Sequence, residues 1–156
     1  MISSKESYDK LLEVLGKTLG IKLEFVDDSC NPQIEELDLG CCIRKFENEE
    51  RIVLLGVLAK GLPDDLKYDL VIDFLSSAIN PLYKSGPTVA YDEDDDVLLA
   101  YVSIDIKDIE ENEFPEIVEE FMVFEKHYRD RLSETPDTAD DSSSSSASEI
   151  IGRINN

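Results

Sequence analysis

The chain has 156 residues, of which 36 are acidic and 15 are basic, so its formal net charge is −21. This charge disfavours nucleic acid and anionic membranes as partners, because both attract basic surfaces. The apolar fraction of 42% suffices for one hydrophobic core, whereas no apolar run approaches the roughly 18 residues of a membrane span and the N-terminus has no apolar signal region.

Residues 4–19 predict an amphipathic helix, with apolar side chains recurring at helical spacing opposite a charged side. Val14 lies just outside the apolar stripe and widens it on one edge. Residues 37–44 then alternate between apolar and polar, which is typical of a strand with one face toward a core. Residues 51–58 are apolar on both faces, which is typical of a central strand.

Leu62-Pro63 followed by two aspartates predicts the start of a second, strongly apolar helix that Asn80-Pro81 ends. Residues 87–91 and 97–106 predict a hairpin around the acidic loop 92–96. A third helix follows Pro115 and ends near Ser133.

From residue 133 the sequence becomes acidic and serine-rich, and we expect 133–156 to be a disordered tail behind a single domain of residues 1–132. The run Ser142 to Ser146 is either a phosphorylation cluster or, more economically, a flexible linker. Ile150, Ile151 and Ile154 reappear after it. They form either a weakly ordered terminus or a short segment that docks on an apolar groove, its own or a partner's.

Catalysis, cofactor binding and metal binding are not expected. Cys30, Cys41 and Cys42 lack metal-ligand spacing and are expected to be reduced, mostly buried thiols. His127, the single histidine, has no nucleophile signature near it. The acidic loop fails the calcium-loop pattern, because Val97 stands at the glycine position and Ser103 at the glutamate position.

Three helices on one antiparallel sheet cover a single sheet face, yet residues 51–58 and 97–106 are apolar on both faces. Each large apolar side chain left in water forfeits roughly 1.5–3 kcal/mol. Exposed patches of this kind normally mark an interface. The sequence therefore predicts a homodimer, a bound polypeptide, or both.

Several segments between residues 15 and 132 carry a family resemblance: Leu15 to Leu19 with Gly20, Leu58 to Gly61, Leu62-Pro63, Leu75 to Asn80, Gly86, and a hairpin followed by a helix that closes at Tyr128 to Leu132. Together with the small size, the acidity and the element order, they make the chain resemble the class I type III secretion chaperones of the Tir chaperone family. The segment between Gly20 and Gln33 departs from the family pattern, and the serine-rich tail has no family counterpart.

The resemblance implies an α+β fold, a two-layer antiparallel sheet with three helices in the order α-β-β-β-α-β-β-α. It implies a homodimer, or a heterodimer with a related chaperone, in the bacterial cytoplasm. Such a protein binds the N-terminal region of a secreted virulence effector without ATP and keeps it secretion-competent. Neither enzymatic activity nor membrane insertion is expected.

Mapped onto this sequence, the resemblance places cargo contacts on the first helix and early strands and dimer contacts on the second helix and a hairpin strand. The cargo-contact residues are Leu11, Val14, Leu37 and Leu39, and the dimer-contact residues are Leu70, Phe74 and Val102. Ordinary core packing explains each position equally well. The alternative function is an acidic dimeric regulator on the same scaffold, which binds a transcription or secretion-apparatus component.

Overall fold

The computed structural model describes residues 4–34, 39–83 and 86–134. The helices are α1 Ser4–Leu19, α2 Tyr68–Ser77, the single turn α3 Asn80–Tyr83, and α4 Phe114–Ser133. The strands are β1 Ser29–Cys30, β2 Gln33–Ile34, β3 Leu39–Gly40, β4 Cys42–Phe46, β5 Arg51–Lys60, β6 Thr88–Asp92 and β7 Val97–Asp105. An antiparallel sheet has the order β1-β4-β5-β7-β6, and β2 pairs separately with β3. The predicted α+β class is confirmed.

Several predicted boundaries change. The second helix begins at Tyr68 rather than at Leu62-Pro63, because residues 64–65 form a turn and Lys67 is extended; proline followed by aspartates also suits a turn. It ends at Ser77, and Pro81 stands in the first turn of α3. The strand predicted at 37–44 is divided between β3 and β4. Ser133 closes α4, and the predicted tail from residue 135 onward lies outside the described residues.

The core is formed by α1, α2, α4 and one face of the sheet. Alternate residues of the two central strands point into it, since Ile52 pairs with Ile104 and Leu54 with Val102, and all four are buried. The helices and the sheet thus make two layers around one core.

Tyr8 attaches α1 to the sheet. Its side chain is fully buried, and its hydroxyl lies 3.3 Å from the carbonyl oxygens of both Phe46 and Arg51, the residues that flank the β4–β5 turn. Its ring also meets Phe25 edge-on at 6.4 Å. These contacts fix the N-terminal half of α1 over the β4–β5 hairpin.

Aromatic packing and ion pairs hold α2 between α4 and the edge strand β6. The rings of Phe74 and Tyr128 lie 5.2 Å apart, and the Arg131 guanidinium pairs with Asp73. At the other end of α2, the Ser77 hydroxyl accepts a hydrogen bond of 3.1 Å from the Val89 amide. The inner side of α2 is therefore buried against the rest of the chain.

A buried carboxyl group lies where α4 crosses β5. Glu125 is fully buried, and a Cβ atom on Gly56 would lie only 2.5 Å from its carboxyl carbon, so a side chain at position 56 would force the buried carboxyl to move. Arg129 Nε lies 3.7 Å from Glu125 Oε1 and donates a 3.1 Å hydrogen bond to the Val57 carbonyl. Neither Glu125 oxygen accepts a hydrogen bond within the described residues. Burial raises the pKa of Glu125 to about 7, and the charge of Arg129 opposes part of this rise.

We predict that Glu125 makes the protein more stable in mild acid. Its pKa is higher in the folded than in the unfolded chain, so its contribution is complete below about 4.5 and is lost as the pH rises through about 7. The change amounts to about 3 kcal/mol at most. In Glu125→Gln, urea unfolding between pH 5 and pH 8 should show a correspondingly flatter pH dependence of the free energy of unfolding.

Glu120→Gln is the matched control, because Glu120 is an exposed glutamate on the same helix. It should retain the wild-type pH dependence. Equal slopes for wild type and Glu125→Gln would show that the buried carboxyl does not titrate in this range.

Candidate functional site

A groove of about 810 Å³ runs between α1 and α4. We call it the α1–α4 groove. Its apolar lining comes from both ends of the chain: Val14, Leu15 and Leu19 of α1, and Pro115, Val118, Met122 and Val123 of α4. Val123 is 65% exposed, so this apolar side chain is accessible to a partner.

α1 ends beside the groove, directly after the lining residue Leu19. Gly20 follows the last helical residue with φ +71, a left-handed conformation that favours glycine and ends helices. The Ile21 amide then donates a 3.0 Å hydrogen bond to the Gly16 carbonyl, which turns the chain away from the helix axis.

Charged side chains border the α1–α4 groove along α4. Glu116 and Glu119 lie toward the start of the helix, and Lys126 lies further toward its end. Lys126 Nζ also pairs with Asp130 at 2.6 Å on the exposed side of α4. The groove is thus apolar inside, with two glutamates toward one end and the Lys126–Asp130 ion pair at the other.

A second apolar surface lies on the outward side of α2 and continues over α3. Its residues follow one another at intervals of three or four, which places them on one side of a helix. All are exposed: Tyr68, Ile72, Leu75, Ile79 and Leu82, with Tyr83 beside them. We call this surface the α2–α3 stripe, and Leu75 within it is 66% exposed.

The sheet face opposite the core is also apolar near its centre. Leu55 lies opposite Tyr101, and Val57 lies opposite Leu99. Leu55, Leu99 and Tyr101 remain partly exposed, whereas Val57 is buried. This face agrees with the sequence pattern of strands that are apolar on both sides.

The predicted cargo residues lie in different environments. Val14 lines the α1–α4 groove. Leu11 is only 2% exposed and belongs to the core. Leu37 lies outside the described residues, and Leu39 is described only by its place in β3. The structure thus brings one of the four to an accessible apolar surface, and their contact with cargo stays a prediction.

The predicted dimer residues Leu70, Phe74 and Val102 are buried in the core of the single chain, at 2%, 9% and 4% exposure. Their contact with a second copy stays a prediction. The accessible side of the same helix carries Leu75 instead, which the sequence reasoning did not select. The sequence did contain a sign of Leu75, because the residues of α2 are apolar on both sides of the helix.

The groups that the sequence offered for catalysis or metal binding make ordinary local contacts. The exposed His127 packs edge-on against the Tyr128 ring at 5.0 Å. The carboxylate of Asp92 accepts a 3.0 Å hydrogen bond from the Asp94 amide in the acidic loop. No group of three or more His, Cys, Asp or Glu residues is arranged to hold a metal ion among the described residues.

The three cysteines are free and buried, as predicted. Burial raises the pKa of the Cys41 thiol. Across residues 4–34, 39–83 and 86–134, none of the helices is long and apolar enough to cross a membrane.

The fold is shared with several solved complexes. A chain of the HopA1–SchA chaperone–effector complex has a TM-score of 0.67 at 23% identity, covering 83% of this chain and 98% of that chain. A chain of the ExsC–ExsE complex has a TM-score of 0.64 at 15% identity, covering 88% of this chain and 98% of that chain. A chain of the ExoT–SpcS complex from Pseudomonas aeruginosa has a TM-score of 0.58 at 8% identity, covering 78% of this chain and 96% of that chain. At these identities the likeness establishes the fold.

Comparison at the level of sequence gives the family. No curated protein matches the chain at a significant level. The pattern of the Tir chaperone protein (CesT) family, in contrast, matches residues 10–127. This range includes all of α2 and α3 and most of α1 and α4, and therefore the elements that form both apolar surfaces. The chain belongs to the Tir chaperone protein (CesT) family.

Proposed function

We propose that this protein is a homodimeric type III secretion chaperone that binds the N-terminal region of a secreted effector in the bacterial cytoplasm. The observation that carries the proposal is the presence of two separate, accessible apolar surfaces on one chain of this family. The similarity to chains from the HopA1–SchA and ExsC–ExsE complexes supports a polypeptide as the partner.

We assign the α2–α3 stripe to the second copy of the chain. A two-fold dimer needs a patch that packs on itself, and a row of aliphatic side chains with tyrosines can do so. α2 packs against the edge strand β6 with its inner side, so the stripe on its outward side remains available to a second copy.

We assign the α1–α4 groove to the effector. Its apolar stretch along α4 runs from Pro115 to Val123, which is about 12 Å of helix. An extended segment of four or five residues covers this length, and its alternate side chains can point into the groove. Glu116 and Glu119 at one end favour a basic residue beside the apolar anchors.

Binding of this kind requires burial of apolar area and no chemical step. The proposed chaperone therefore acts without ATP, by holding an effector segment that would otherwise expose apolar side chains. The net charge of −21 keeps a protein with two accessible apolar surfaces in solution.

We predict that Leu75→Asp converts a dimer into a monomer. Leu75 would be buried twice in a two-fold dimer, so the charge should cost about 3 kcal/mol or more, a loss of over a hundredfold in dimer affinity. Sedimentation or light scattering measures this directly against the chain mass of 17.6 kDa. Because Leu75 is 66% exposed in the single chain, the substitution should leave the fold intact.

We predict that Val123→Asp weakens effector binding by about tenfold to a hundredfold while the protein stays dimeric, because it removes one apolar anchor from the groove. The effector is first captured by the wild-type protein and identified by mass spectrometry. Its N-terminal segment is then titrated by calorimetry into wild type, Val123→Asp and Leu75→Asp.

The two variants are matched controls for each other, since each introduces one aspartate at an equally exposed apolar position on a helix. A monomeric wild type with no affinity for an effector N-terminus would overturn the proposal. Capture of a transcription or secretion-apparatus component instead would favour the alternative, an acidic dimeric regulator.

A further inference from the structure

We propose that residues 149–154 (Glu-Ile-Ile-Gly-Arg-Ile) dock in the α1–α4 groove of their own chain. The segment would then cover the surface assigned above to the effector and compete with it. Only this consequence rests on the proposed function, because the docking itself is a property of the chain alone.

The apolar content of the segment fits the groove. Ile150, Ile151 and Ile154 are the only large apolar side chains after Ser133. β-Branched residues favour extended backbone, and Gly152 disfavours a helix. In an extended segment Ile150 and Ile154 point to the same side, about 13 Å apart. The apolar lining from Pro115 to Val123 spans about 12 Å, so both isoleucines can enter it together.

The chain length between α4 and the segment also fits. The described part of the chain ends at Glu134, about 12 Å along the α4 axis from Lys126 at the near end of the groove. Residues 135–149 must return over at least this distance. A flexible serine-rich linker of this length has a root-mean-square span of about 21 Å, so it reaches the groove without being stretched. Short flexible linkers give an effective concentration of about 1 mM.

The order of charges agrees with the direction of the chain. A segment that returns from the end of α4 runs antiparallel to that helix, so Glu149 arrives near Lys126 and Arg153 arrives further on, near Glu119 and Glu116. Both side chains lie on the outer side of the segment when Ile150 and Ile154 enter the groove, so they meet these charges at the groove rim. Glu149 and Arg153 are about 13 Å apart in an extended chain. Lys126 lies about 10 Å along the helix from Glu119 and about 15 Å from Glu116. If the segment ran parallel to α4 instead, Glu149 would lie near Glu116 and Glu119, and Arg153 would lie near Lys126, so like charges would meet at both ends of the groove.

Occupancy of the groove by this segment would set a threshold for cargo. At an effective concentration of about 1 mM, a segment with an intrinsic dissociation constant of about 100 µM lowers the apparent affinity of any competitor about tenfold. An effector that binds tightly would displace the segment, whereas weakly apolar peptides would not. Docking of residues 149–154 therefore shields the groove while no effector is bound, and it raises the selectivity of the groove for effectors that bind tightly.

Met122 provides a direct readout in the full chain. The protein has two methionines, Met1 and Met122, and Met122 lines the groove. The ¹³C-methyl resonance of Met122 should shift in Ile150→Asp/Ile154→Asp, whereas that of Met1 should not. Ser144→Asp/Ser146→Asp adds the same charge without touching the isoleucines, and its Met122 resonance should match wild type.

A synthetic peptide of residues 147–156 tests the same contact in trans. Ile150→Asp/Ile154→Asp should bind it about tenfold more tightly than wild type, because its groove is free. The added peptide should return the Met122 resonance toward its wild-type position. Val123→Asp in the same background should abolish peptide binding.

Identical Met122 resonances in wild type and Ile150→Asp/Ile154→Asp, or equal peptide affinities, would overturn the proposal. The monomeric Leu75→Asp variant identifies the source of the segment. Loss of the wild-type Met122 resonance in that variant would assign the segment to the partner copy and overturn docking in its own chain. Since no effector is present, these results do not depend on whether the proposed chaperone function holds.

Discussion

The packing of α4 across β5 is the contact on which the two candidate surfaces depend. It is specified at one point, where the absence of a side chain at Gly56 leaves space for the Glu125 carboxyl and Arg129 reaches the Val57 carbonyl. On one flank α4 forms the groove with α1, and on the other it carries the Tyr128 ring and Arg131 that hold α2. A displacement of α4 would therefore change the groove and the α2–α3 stripe together.

A buried carboxyl group is costly, because its charged form loses hydration and accepts no hydrogen bond within the described residues. An apolar residue of similar size would pack there without this cost. We infer that Glu125 and Arg129 are useful because they fix the position of α4 along the sheet. Layers of aliphatic side chains tolerate small shifts, whereas the Gly56 gap and the Val57 carbonyl each accept one partner at one place.

The long periodic elements were predictable from sequence, because a pattern repeated over four turns or ten strand residues outweighs local exceptions. The α1–α4 groove was not, since its two sides come from opposite ends of the chain and no local pattern joins them. Val14 could be found because it widens one apolar stripe. Val123 is a single apolar residue on a polar side of α4. Its part in an apolar surface becomes visible only when the α1 residues that line the groove with it are known. Leu75 was missed because α2 is apolar on both sides, and the contact between Phe74 and the Tyr128 ring of α4 determines which side faces inward.

The net charge of −21 and the exposed apolar surfaces have a common explanation. A chain that exposes Leu75 and Val123 would aggregate through them if its surface were neutral. Repulsion between acidic chains opposes such contacts at long range. Under the proposed function, a two-fold dimer or a peptide with a basic flank would gain enough at short range to overcome this repulsion. The excess of acid would then favour partners that bury a whole apolar surface at once over those that bury only part of one.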